Sequence, residues 1–262
     1  MDIIQTLAQQ LNLTAEQVGK TVQLIDEGNT IPFIARYRKE VTGSLDDSVL
    51  RTLDEKLTAL RNLAQRKQEV QDLIGAQGKL TEEVRAAIER AATVTEVDDI
   101  YRPFRPKRKT RASVARERGL EDLAILLFAQ EKSYTPSIEE QAARFVDPER
   151  EVPDVAAALQ GAMDIVAEEV SDNADYRREL RRLTFDAGSL TSKAAKEEDS
   201  VYAMYYDFSE PLRKLPGHRI LAIHRGEKEE FLKVALTVPE DVVLGYLYNR
   251  VLSGNRSPAE PY

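Results

Sequence analysis

From Tyr101 to Arg118 the chain carries eight basic residues, Arg102, Arg105, Lys107, Arg108, Lys109, Arg111, Arg116 and Arg118, against one acid, Glu117. The chain as a whole has a formal net charge of −8, so this island opposes the sign of everything around it. Pro103 and Pro106 restrict its backbone, and Tyr101 and Phe104 interleave aromatic surface with the charge. Guanidinium groups make forked contacts to phosphate oxygens, which suits such a segment to an anionic partner, RNA, DNA or an acidic protein. Arg102, Arg105, Lys107, Arg108, Lys109 and Arg111 are the candidate nucleic-acid-binding residues. The same arginines could instead tie the segment to carboxylates, for which Asp98, Asp99, Glu117 and Glu121 are the nearest in sequence. The acidic remainder opposes close wrapping of a polyanion. Both readings stay open at this point.

Catalytic chemistry is hard to find. His218 and His224 are the two histidines, and a spacing of six would place them on one face of a strand. A closed metal site needs further ligands, and with no Cys in the chain none is evident. The adjacent acids Asp46-Asp47, Asp98-Asp99 and Glu168-Glu169 would diverge on a helix rather than form a metal cradle. There is no phosphate-cradling glycine loop, dinucleotide fingerprint or nucleophile elbow. The chain is therefore expected not to be an enzyme and to use no metal or cofactor. Tyr202, Tyr205, Tyr206 and Phe208 could stack on bases, but packing at the root of a hairpin is the stronger expectation.

The run DDIYRPFRPKRKTRA followed by ARERGLEDLA, from Asp98 to Ala124, closely resembles a signature segment of the bacterial Tex family of transcription accessory proteins. NTIPFIARYRKEVTGSLDDSVLR, from Asn29 to Arg51, resembles the family's other N-terminal signature. The resemblance runs over the whole chain. It implies nucleic-acid association and a role in transcription or RNA handling. Family members continue into a ribonuclease-H-like domain, helix-hairpin-helix elements and an OB-fold RNA-binding domain, so this chain is expected to be the N-terminal helical scaffold that positions them. The alternative is a protein-interaction module that docks on RNA polymerase or another transcription protein without touching nucleic acid.

The elements that must position the island read as helices. The expected fold is mainly α, with a helix-turn-helix-like N-terminal bundle, a long central helix and one inserted β-hairpin. Residues 1–44 form the bundle: apolar spacing predicts helices over Ile3–Leu11 and Ala15–Glu27, with Thr14 and Gln17 as a capping box and Gly28 as a stop. Thr30 is expected to cap a third helix with Pro32 in its first turn, ended by Thr42-Gly43. Ser44 with Asp47 should open the longest element, Leu45–Ile74, about 45 Å long at ~1.5 Å per residue. Its leucines suit an intramolecular spine or, alternatively, a dimer seam that Lys67 and Gln71 interrupt.

Residues 45–200 hold this spine and a helical stack around the basic loop 101–118. Its further helices are expected from Thr81 to Ala92, after Thr110 or Ser113 up to Gly119, and over 120–129, 138–146, 155–170 and 175–187. Residues 201–240 should contain the aromatic segment and the hairpin, with strands His218–His224 and Glu230–Val238 about a turn at Arg225–Lys228. Residues 241–262 read as a helix and a connector to domains missing from this chain.

The composition, 42 % hydrophobic and 31 % charged, fits a folded helical protein. The absence of Cys fits a reducing compartment. The N-terminus has neither the basic start nor the apolar run of a signal peptide, and no window approaches the ~20 apolar residues of a membrane span. The expectation is a cytoplasmic protein.

Overall fold

The computed structural model describes residues 2–106, 109–196, 198–254 and 256–262, and the chain divides into two units at Phe104 and Arg105. The first unit is helical: α1 (Ile3–Leu11), α2 (Ala15–Asp26), α3 (Ile31–Tyr37), α4 (Lys39–Thr42), α5 (Asp47–Ala76), α6 (Glu82–Arg90) and α7 (Val94–Tyr101). Its boundaries follow local chemistry. Thr14 and Gln17 close a reciprocal capping box at the start of α2. Thr81 and Thr93 each accept a backbone amide at the starts of α6 and α7.

Two expected caps differ. Thr30 precedes α3 but its side chain makes no capping hydrogen bond, and Pro32 in the first turn supplies the helix start instead. The spine is capped by Asp46, whose carboxylate accepts from Val49, rather than by Ser44. Ser44 follows the left-handed Gly43 and is itself left-handed. At Gly43 an added Cβ would also lie 2.8 Å from the Gln17 side chain.

The spine, α5, runs through three apolar clusters of this unit. Leu53 and Leu57 pack with Leu7, Val18 and Val22. Leu50 packs with Leu24, Ile34 and Leu45. Leu63, Val70 and Ile74 pack with Ile88, Val97 and Tyr101. The leucine seam is thus covered within the unit, as an intramolecular spine requires. Lys67 and Gln71 are buried on that face: Lys67 Nζ donates to the Glu89 carbonyl at 2.6 Å and Gln71 Nε2 to Glu89 Oε1 at 2.7 Å. They dock α6 on the spine.

The second unit contains α8 (Arg111–Glu117), α9 (Glu121–Ala129), α10 (Ile138–Ala142), α11 (Val155–Asp172), α12 (Ala174–Ala187), α13 (Gly217–Lys228) and α14 (Glu240–Val251). Set among them is an antiparallel sheet of β1 (Ser189–Ala194), β2 (Asp207–Pro211) and β3 (Leu232–Thr237) in the order β2-β1-β3. The fold is mainly α with this small β element. The strand placement corrects the sequence expectation: residues 218–224 are not a strand but lie within α13. HRILAIH alternates, yet the helix that contains it buries Ile223 together with Gly226, a helical step of three. The partner of β3 is β1, pairing Ser192 with Val234 and Lys193 with Lys233. The strand-face argument for His218 and His224 falls with the strand.

β1 gives little apolar signal because its centre is a serine. Ser192 is buried and donates to the Tyr205 carbonyl at 2.6 Å. Tyr202 and Tyr205 are buried with Ile223 and Leu232, and Tyr206 and Phe208 pack against them, so the aromatic cluster is the core between the sheet and α13. The segment read as a connector is tied down within this unit. Ser253 N donates to Gln130 Oε1 at 2.7 Å, Ser257 Oγ to the Glu131 carbonyl at 2.7 Å, and Ala259 is buried.

Candidate nucleic-acid interface

The face that carries Lys109, Arg111, Arg116 and Arg118 exists because α8 lies close on α11. Ala112 and Ala115 on α8 meet Ala158 and Ala162 on α11 in one core with Leu120 and Leu123. Gly161 faces Leu120, which precedes α9, and Ala115 of α8, and an added Cβ would fall 2.3 Å from Leu120 Cδ1 and 3.3 Å from Ala115 Cβ. A Thr110 and Ser113 capping box starts α8, with the amide of each residue bonded to the other's hydroxyl at 2.9 and 3.0 Å. Thr110 Oγ1 also donates to Glu168 Oε1 at 3.0 Å.

This packing sorts the island into two kinds of cation. Arg116 reaches Glu168 at 2.6 Å, Glu169 at 2.8 Å and Glu121 at 3.5 Å. Its side chain is 26 % exposed and that of Glu168 14 %. Burial pulls the Arg116 pKa down, but the Glu168 hydrogen bond and the charges of Glu168, Glu169 and Glu121 outweigh it and the net shift is upward. One guanidinium thus takes both members of the adjacent Glu168-Glu169 pair. Arg118 bonds Glu151 and holds that carboxyl below the usual glutamate range, first through the hydrogen bond and then through its charge. Arg116 and Arg118 are structural ties.

Lys109 and Arg111 are different. Both are exposed, and Arg111 has only a 3.8 Å approach to Asp164 with its side chain 85 % exposed. Arg105, also in this unit, is exposed and takes part in interactions. Arg102 belongs to the first unit, half-buried in a short 3-10 turn after α7, and it too has a partner. Lys107 and Arg108 lie outside the described residues. Of the carboxylates nearest in sequence, Glu121 reaches Arg116 and Asp98 bonds Arg66 of α5 at 2.7 Å, while Glu168, Glu169 and Asp164, which also face these arginines, come from α11. Among the described residues no group of three or more His, Cys, Asp or Glu is placed to hold a metal, and no helix is long and apolar enough to cross a membrane.

Comparison with known proteins assigns the chain to a family through both units. The Tex-like protein N-terminal domain matches residues 1–75 and the Tex central region-like family matches residues 133–249. The chain belongs to the Tex family. It is 43 % identical to Protein tex of Bordetella pertussis over 243 residues, 92 % of this chain and 30 % of that protein. It is 39 % identical to the transcriptional accessory protein Tex of Neisseria gonorrhoeae, over 92 % of this chain and 32 % of that protein. It is 29 % identical to the human S1 RNA-binding domain-containing protein 1, over 92 % of this chain and 25 % of that protein. The chain thus spans about a third or less of the length of these relatives.

Proposed function

We propose that this chain is the helical scaffold of a transcription accessory protein that associates with RNA or other nucleic acid and positions downstream RNA-binding domains. The observation that carries the reading is the division of the basic island: Arg116 and Arg118 are spent on carboxylates, while Lys109 and Arg111 project from the same short helix and its approach as exposed cations. Structural need accounts for the first pair and not for the second. The relatives' names, transcriptional accessory protein and S1 RNA-binding domain-containing protein, point the same way. Contacts of this kind are to the phosphate backbone, so binding is weak, salt-dependent and nearly blind to sequence. The scaffold contributes no hydrolytic chemistry of its own and acts in the cytoplasm.

The test is a salt titration of binding by the 262-residue chain to RNA, single-stranded DNA and duplex DNA. Replacing Lys109 and Arg111 together by Ser should weaken binding to unrelated sequences alike and flatten the salt slope by roughly 0.7 per lost single-strand contact. The melting temperature should hold. Absence of binding at low salt would sink the reading and leave docking on RNA polymerase or another protein as the surviving explanation. Cleavage of RNA or DNA by the purified chain with magnesium or manganese, abolished by a point substitution in it, would overturn the non-enzymatic part.

A further inference from the structure

We propose that the cleft between α8 and α11 is a ribose-phosphate notch that binds one nucleotide of RNA and discriminates against DNA through Asp164. The inference rests on the nucleic-acid reading above and names the ligand of that surface. The cleft has a volume of about 470 Å³ and is lined by Lys109, Arg111 and Arg118 on the α8 side and by Gln160 and Asp164 on the α11 side. That lies within the ~300–1,000 Å³ typical of small-ligand sites.

Charge is layered across the cleft. Lys109 and Arg111 stand at the exposed rim, whereas the Asp164 side chain is only 16 % exposed. A phosphate therefore meets cations first. A purely basic cleft would treat RNA and DNA alike, and the carboxylate is what breaks that equivalence. Both polar contacts of Asp164 go to one oxygen: Gln160 Nε2 donates to Oδ1 at 3.3 Å, and Arg111 Nε stands 3.8 Å from the same atom. Oδ2 has no hydrogen-bond partner among the described residues.

An ionised carboxylate only accepts hydrogen bonds, so it repels a phosphate set beside it and rewards a hydroxyl. The backbone of DNA offers no such donor, while the 2′-hydroxyl of RNA does, one sugar away from the phosphate at the rim. An acid that accepts from a ribose 2′-hydroxyl beside a bound phosphate is a recurrent arrangement in nucleotide sites.

The experiment measures fluorescence anisotropy at fixed low salt with the whole chain and three probes of equal length: oligouridylate, its deoxyuridine counterpart and its 2′-O-methyl counterpart. The probes share bases and phosphates. Oligouridylate should bind about tenfold more tightly than either other probe, as expected for a hydrogen bond to a charged acceptor. Asp164→Ala removes negative charge beside Arg111, which favours all three probes alike, and removes the acceptor that oligouridylate alone uses, so the ratio is the readout. It should fall to within about twofold. Asp164→Asn keeps the volume and a neutral acceptor, should retain an intermediate ratio, and serves alone if the alanine variant fails to fold.

Equal wild-type affinity for the three probes, or a preference untouched by the Asp164 substitutions, overturns the notch and leaves nucleic-acid association standing. No binding of any probe at low salt overturns the association itself, and the notch with it.

Discussion

Arg116 and Arg111 lie five residues apart on one short helix and do opposite jobs, a difference set by what α11 places opposite each. Arg116 faces Glu168 in a partly buried pocket of charge, so Arg116→Ala strands a carboxylate and should cost about 2 kcal/mol in thermal or urea unfolding. Arg111→Ser should leave unfolding unchanged and move only binding. A second residue-scale prediction concerns Asp26, which accepts from both terminal nitrogens of Arg61 at 2.7 and 2.8 Å. That hydrogen bond, opposed by burial and aided by the Arg61 charge, holds the Asp26 carboxyl below the usual aspartate range. A folded-state value below the unfolded one means the contribution is present above the ordinary aspartate pKa and is lost as pH falls through the folded value. Asp26→Asn should therefore flatten part of the acid limb of a stability–pH profile at low salt. An unchanged limb would show the pair to be energetically idle.

At the scale of elements, the spine and the α8–α11 crossing carry the testable weight. Leu53 is fully buried on α5, and Leu53→Ala should cost about 2–5 kcal/mol, with the spread set by how far the neighbouring helices collapse into the cavity. Gly161→Val should force Leu120 and, with it, α8 away from α11, lowering stability by about 1–3 kcal/mol and weakening nucleic-acid binding together, because the basic face rides on that packing. Retained binding in that variant would detach the function from the crossing.

Helix starts were legible where the cap is local, as with Thr14 and Gln17 or Thr110 and Ser113. α7 was hidden behind the charge that follows it, although Thr93 caps it in the usual way. The strand β1 was invisible because a central strand in which Leu190 is the one large apolar residue takes its stability from pairing on both edges rather than from its own apolar content.

On the scale of the whole molecule, each unit has its own apolar core, so each meets the physical requirement for folding as a unit. Leu53→Ala should reduce amide protection in residues 3–101, and Leu123→Ala in residues 111–187, each sparing the other range in hydrogen exchange. Loss of protection across both ranges from either substitution would show a single cooperative body.

The amino-acid sequence by itself determined the helical character, the spine and its leucine face, the Thr14–Gln17 capping box, the family and the location of the basic island. All of these depend on residues within one or two helical turns of each other, or on runs that match as strings. Tertiary structure alone decided which cations are spent and which are offered. Glu168, Glu169 and Asp164 stand more than fifty residues from the arginines they meet, and only the close α8–α11 packing brings them together. It also decided the strand partners, since hydrogen-bond pairing between β1 and β3 joins residues about forty apart across an intervening helix. Charge and alternation are properties of a segment, whereas pairing is a property of two surfaces, and the second surface is set by the fold.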